Sequence, residues 1–426
     1  MRRREGPGDS AAVPRGCGPR IAPLSEAMRP LRQQVFERVR AAGFMPRVQV
    51  AKELGVSPAT VTAVTSELIR AGYLEEISVP VEAADATRGR PPVALGVCPG
   101  AHHVAGMKLS DREHTAVIVD FAGNLVASET IPNVPGPGDA ETLLDAADGL
   151  LTRVCHRAGM ARSDLSALGI GVPGFVDNFH GLVHWSPILE ERGVKLAAAA
   201  QDRLGLEVTI DNDANLVALA ELWFGAGRDM ADFAVVTIEH GLGMGLVLNH
   251  RLFRGSHGLG LELGHIKVQL DGALCRCGQR GCLEAYVADY ALVREAAVAL
   301  NWMHKDVRPN HVLLESLYDH AKAGNGAARS IFRRAGRYLA VGLANVVNLF
   351  DPALIILSGE RMRFDYLYAA DTLAEMESLV LQAGRAVPPI EVHAWGDLLW
   401  AHGAAALALS SVTEASLSQQ REVAAQ

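Results

Sequence analysis

Three cysteines fall within eight residues, at Cys275, Cys277 and Cys282 of "CRCGQRGC". The other three, Cys17, Cys98 and Cys155, are scattered and read as buried or free thiols. Thiols this close suit a tetrahedral zinc ion, a disulfide or a redox pair. No apolar run approaches the ~18–20 residues of a membrane span. The basic start "MRRREGPGDSAAVPRGCGPR" lacks an apolar signal core. A cytoplasmic location is therefore expected, where thiols stay reduced and metal outranks disulfide. Gly278 and Gly281 let the loop turn tightly, and Arg276 and Arg280 partly offset thiolate charge. A redox cluster remains the alternative at this point.

Other polar groups surround this run. Glu262 and His265 precede it in "RGSHGLGLELGH", and Glu284 follows it. Upstream, "DNDAN" (211–215) offers Asn212 and Asp213. Read alone, it is a capped turn into a helix.

The elements that position these residues come in two styles. At about 150 residues per domain, 426 residues suggest two or three domains. Charge is uneven: residues 1–90 carry net +4 and the remainder net −12. A basic front on an acidic body fits a nucleic-acid reader joined to another domain. Residues 30–76 predict three helices, with Gly43 and Gly55 closing the first two. The third has Ser57 as N-cap, Pro58 at its first position and Gly72 at its end. Ala51, Gly55, Val56, Val61 and Leu68 match the spacing of a helix-turn-helix whose second helix enters the major groove. Its exposed start, Ser57, Ala59, Thr60 and Thr62, can touch phosphates and base edges. A strand, a turn containing "RGRPP" and a second strand follow as a wing. Arg88 and Arg90 on that slim segment suit a narrow minor groove. From about residue 101, strands alternate with helices and glycine turns, as in an α/β fold.

The ordered set "GIGVPGFVD", "DNDAN", "HGLGMGLV", "RGSHGLGLELGH", "CRCGQRGCLEAY" and "NLFDPALIILSG" resembles the ROK family (repressor, open reading frame, kinase). The front helix-turn-helix and "GRPP" resemble its repressor branch. The resemblance implies a two-lobed actin-like ATPase (ribonuclease H-like) α/β fold behind an all-α winged helix-turn-helix. It implies His265 as fourth ligand beside Cys275, Cys277 and Cys282, hence one closed, structural zinc per chain. It also implies a sugar bound by Gly174, Asn212, Asp213, Glu262, His265 and Glu284. Zinc would then fix the ring of a histidine that uses its second nitrogen on the sugar. After "WSP" the chain departs from the family pattern, and Ile188 to Arg192 take no assigned contacts.

In the family's kinases Asp213 would be the general base. The first phosphate loop, however, reads "KLSDRE" (108–113) where the family has Asp-x-Gly-Gly-Thr-Lys. Both glycines are lost, Lys108 replaces an aspartate, and Glu113 reverses a charge. His240 stands where kinases carry Thr or Ser. The expectation is a sugar-responsive transcriptional repressor without catalytic residues. It would bind double-stranded, pseudo-palindromic operator DNA as a homodimer or homotetramer, with a sugar or sugar phosphate as effector. The alternatives are an active sugar kinase carrying a DNA-binding head, and a zinc-responsive regulator. The expected organisation is a disordered leader (1–27), the winged head (28–98), lobe one (99–224 plus 396–412), lobe two with zinc (225–395) and a disordered tail (413–426).

Overall fold

The computed structural model describes residues 3–5, 16–20, 29–78, 93–300, 309–359, 362, 370–381, 384, 386–394, 396 and 398–418. Three helices open the head: α1 (Leu31–Ala42), α2 (Arg47–Leu54) and α3 (Pro58–Arg70). α3 forms where the sequence predicts it. The Ser57 side chain accepts the Thr60 N–H, Pro58 starts the helix, and Val61, Thr65 and Leu68 line its buried face. Strands Leu74–Ser78 and Val93–Val97 pair antiparallel as the arms of a wing. The short strand Phe44–Pro46 joins them on the far side of Val93–Val97. The wing tip, with Arg88 and Arg90, lies outside the described residues.

Behind the head lies a five-stranded sheet in the order Val208–Asn212, Leu165–Val172, His103–Lys108, Glu113–Asp120, Leu125–Pro132. The last three run antiparallel, and the first two add parallel to His103–Lys108. A second sheet repeats this wiring. Phe233–Ile238 and Leu242–Leu248 form a hairpin, Arg251–Phe253 follows, and Ile355–Ser358 and Ile390–Ala394 add parallel on the other side. Strand Arg3–Glu5 extends the second sheet at its edge. Among the described residues, no helix is long and apolar enough to cross a membrane.

The chain divides into two compact units. One comprises Met1–Gly8, Asp232–Leu248 and Phe253–Gly396; the other comprises Asp9–Ala231, Asn249–Leu252 and Asp397–Gln426. The head belongs to the second of these. Residues 225–231 stay with it because Arg228 is buried there and donates to the carbonyls of Gly18 and Ala41.

Two terminal expectations need correction. Residues 16–20, expected to belong to a disordered leader, are packed: Cys17 is buried, its N–H donates to Arg40 O (3.0 Å), and Gly18 N–H donates to Trp223 O (2.9 Å). Residues 413–418, expected to belong to a disordered tail, are helical. The last helix runs Leu399–Ser418, with Val412, Thr413 and Leu417 buried and Arg32 donating to the carbonyls of Ser416 and Leu417. Polar composition hid both segments, because a few buried side chains suffice to pin them.

Candidate metal and ligand site

The cysteine run follows the second sheet's hairpin and forms a compact knot. Cys275 N–H donates to Gln279 O, and Gly278 N–H donates back to Cys275 O. Gly281 has φ +76°, and a Cβ there would lie 1.8 Å from Gln269 O. Only glycine fits that position. The knot brings Cys275, Cys277 and Cys282 to His265, with the four donor atoms within 4.8 Å of one another. Cys277 and Cys282 sulfurs are 3.7 Å apart, and Cys275 Sγ is 3.8 Å from His265 Nδ1.

Those distances discriminate between the chemistries. A disulfide needs about 2.05 Å between sulfurs. A tetrahedral ion with ~2.3 Å bonds to sulfur and ~2.0–2.1 Å to nitrogen has ligand–ligand edges of about 3.6–3.8 Å. The four residues therefore fit a metal ion, and the donor set of three sulfurs and one imidazole nitrogen matches zinc chemistry.

The surroundings add groups that the sequence did not single out. Lys267 Nζ donates to Cys282 Sγ (3.0 Å) and to His265 O (3.0 Å). It supplies the charge offset expected of Arg276 and Arg280. Arg276 instead stacks on the Tyr290 ring (4.2 Å), and Arg280 donates to Gly272 O. The single Tyr290 hydroxyl proton faces two acceptors, Cys275 Sγ at 3.5 Å and Glu284 Oε1 at 3.3 Å. Burial, with the bond to Cys275, pushes the Tyr290 hydroxyl well above its usual range. Lys267 and Tyr290 lack a recognisable spacing to the cysteines, so only the fold reveals them.

Glu284 is buried at the start of a short helix. Its Oε2 accepts the Leu242 N–H (3.4 Å), and Cys275 Sγ lies 3.6 Å from its Oε1. Glu262 is exposed, and Leu261 before it has φ +70°. A leucine in the left-handed region is uncommon, and such strain gathers at functional sites.

Three further site residues meet in the other unit. Asn212 caps helix Asp213–Phe224 by accepting the Ala214 N–H, and its Nδ2 donates to Gly174 O (2.6 Å). Gly174 has φ +114°, and a Cβ there would strike Trp185 O at 2.2 Å. Asp213 Oδ1 accepts the Ala214 N–H, and burial raises its carboxyl pKa against the pull of Lys108. The capped turn is therefore real, and it holds Gly174, Asn212 and Asp213 together.

Residues 108–114 close on themselves. Ser110 N–H donates to Nδ1 of buried His114 (3.2 Å), and Ser110 O accepts from Asn133 Nδ2 (2.9 Å). Leu109 is fully buried, and Lys108 Nζ sits 3.6 Å from the Trp400 ring centre. In the second sheet's hairpin, His240 Nδ1 lies 3.2 Å from Oδ2 of buried Asp289.

On the head, Ser57, Ala59, Thr60 and Thr62 are all exposed at the start of α3. Ser57 is occupied as the cap, and Thr62 Oγ1 donates to Pro58 O.

A winged helix-turn-helix, two α/β sheets of repeated wiring and a three-cysteine, one-histidine knot together define the class. The chain belongs to the ROK family, whose pattern matches residues 105–411. It is similar to the xylose repressor of Caldicellulosiruptor bescii, with 29% identity over 76% of this chain and 81% of that one. It is also similar to the Escherichia coli DNA-binding transcriptional dual regulator NagC, with 28% identity over 84% of this chain and 86% of that one. A Streptomyces coelicolor glucokinase is 31% identical over 60% of this chain and 80% of its own. Among solved structures, a ROK family transcriptional regulator described as a homolog of the E. coli MLC protein superposes with TM-score 0.73. It shows 25% identity and covers 91% of this chain and 97% of its own.

Proposed function

We propose that this protein is a sugar-responsive, DNA-binding transcriptional regulator, a repressor, of carbohydrate genes. The observation that carries the reading is a winged head with an exposed, capped α3 on a chain that matches repressors along most of its length. Ser57, Ala59, Thr60 and Thr62, with Arg88 and Arg90 beyond them, would face operator DNA, and a two-fold oligomer would read a pseudo-palindrome. This reading places the protein in the cytoplasm on the nucleoid.

Zinc would be held by His265, Cys275, Cys277 and Cys282. Four protein ligands leave no open position, so its contribution is structural. It would orient the His265 ring through Nδ1, leaving Nε2 for another partner. Glu262, His265 and Glu284, with Gly174, Asn212 and Asp213, would bind the sugar.

Catalysis is not part of the proposal. The Ser110 amide is already taken by His114, a lysine stands beside the candidate base, and His240 is engaged with Asp289. Phosphoryl transfer depends on free amides and metal-neutralised charge. The glucokinase similarity favours a second reading, an active kinase carrying a DNA-binding head.

The test is a thermal-shift panel of D-xylose, D-glucose, N-acetylglucosamine and their phosphates, followed by DNA retention with each hit. A sugar at 100 times its Kd should add about 2.7 kcal/mol of stability. A hit that leaves DNA affinity unchanged, or a panel with no hit, sinks the regulator reading.

A further inference from the structure

We infer that Arg40 is the coupling residue that carries a change at the Asn212–Asp213 end of helix Asp213–Phe224 into the DNA-binding head. The inference rests on the regulator reading above. Arg40 belongs to α1, yet it is only 4% exposed. Its guanidinium lies over three rings: Trp223 at 4.6 Å, Phe36 at 5.1 Å and Phe121 at 6.0 Å. Its Nη1 donates to Thr413 Oγ1 at 2.7 Å. One cation therefore touches the head (Phe36), the first sheet's hairpin turn (Phe121), the last helix (Thr413) and the far end of helix Asp213–Phe224 (Trp223).

That helix is a stiff, packed link between the two ends. Every residue from Ala214 to Trp223 is buried, so neighbours grip it on all sides. Its 12 residues span about 18 Å. One end holds Asn212 and Asp213 against Gly174. At the other end, Trp223 O accepts the Gly18 N–H, and the next residue back along that segment, Cys17, donates to Arg40 O. Buried Arg228 completes the staple by donating to Gly18 O and to Ala41 O of α1.

A buried guanidinium tolerates few arrangements. It is stable only where ring faces and acceptors replace water, and losing one leaves a buried charge unpaired. Among the described residues, Arg40 Nε has no hydrogen-bond partner, so the site is already short of one. A small shift of Trp223 would force α1 to follow or release the cation. Packed junctions of this kind switch between discrete arrangements instead of deforming smoothly. An ordinary structural arginine would set how firmly the head docks without altering its response to sugar.

The experiment uses full-length Arg40→Met and Thr413→Val beside wild type. Methionine keeps an unbranched apolar stem and removes the guanidinium with its charge; valine keeps shape and removes the acceptor. Sugar affinity is read by calorimetry with the active sugar of the panel. DNA affinity is read, with and without that sugar, on a duplex selected from a randomised pool. Sugar affinity should stay within about twofold, because Arg40 lies at the far end of the helix. The ratio of DNA affinities with and without sugar, typically about 5–150-fold in allosteric proteins, should fall towards one in Arg40→Met and part of the way in Thr413→Val. An unchanged ratio in Arg40→Met overturns the inference. If no sugar alters wild-type DNA affinity, the regulator reading fails, and amide exchange judges the coupling separately. Asp213→Asn should then change exchange in α1 in the wild-type background but not alongside Arg40→Met. An identical effect in both backgrounds, or none in either, overturns the coupling.

Discussion

The cysteine knot and the turn at residues 108–114 use polar groups in opposite ways. In the knot, three sulfurs and one imidazole nitrogen converge to within 4.8 Å, with Lys267 and Tyr290 bonded to the sulfurs. In the turn, donors and acceptors satisfy one another: His114 takes the Ser110 amide, and Asn133 takes the Ser110 carbonyl. Converging donors are costly unless something binds them, whereas a closed turn needs no ligand. The contrast suggests where this chain spends its polar groups on recognition and where it has given them up.

The largest effect is expected from breaking the knot. Cys282→Ser should lose zinc, measured by elemental analysis of freshly purified reduced protein, and lower Tm by more than about 5 °C. Retention of one zinc per chain would mean that the knot does not hold the ion. The turn gives the second test. A coupled assay with ATP and each panel sugar should show turnover at least about 10³-fold below the 1–100 s⁻¹ of active kinases. Turnover near 1 s⁻¹ would mean that the turn opens in solution, and the contrast with the knot would collapse.

A smaller effect comes from pH. Burial holds His114, and likewise His102 and His402, below the ordinary histidine pKa of 6.5. The unfolded chain takes up protons at that ordinary value, but the folded chain does so only at lower pH. Their stability contribution is therefore complete above pH 6.5 and is lost as pH falls towards the lowered folded values. Tm should drop by about 2–4 °C between pH 7.5 and 5.5, and His114→Gln should flatten part of that slope. A slope untouched by His114→Gln would mean that this histidine does not lock the turn.

Much of the frame was legible in order along the chain. The Ser57-Pro58 start of α3 and the Cys-x-Cys-x4-Cys run each carry their own local physics. Local signals fail where the partner is remote. Cys17 is buried because α1 and Trp223 hold its neighbourhood, 23 and 206 residues away in sequence. Lys267 reached the sulfurs only because the chain folds back so that Val268 N–H bonds Gly281 O.

By itself the sequence determined which groups could do chemistry: the cysteines, His265, the acidic turn and the lost glycines of residues 108–113. Spacing and side-chain type are covalent facts, and they restrict what local turns can form. Tertiary structure alone decided which groups meet. It placed Lys267 on Cys282, filled the 108–114 turn with His114, and put Arg40 among three rings. Those outcomes depend on long-range packing, where a buried charge or donor must find its partner wherever the fold supplies one.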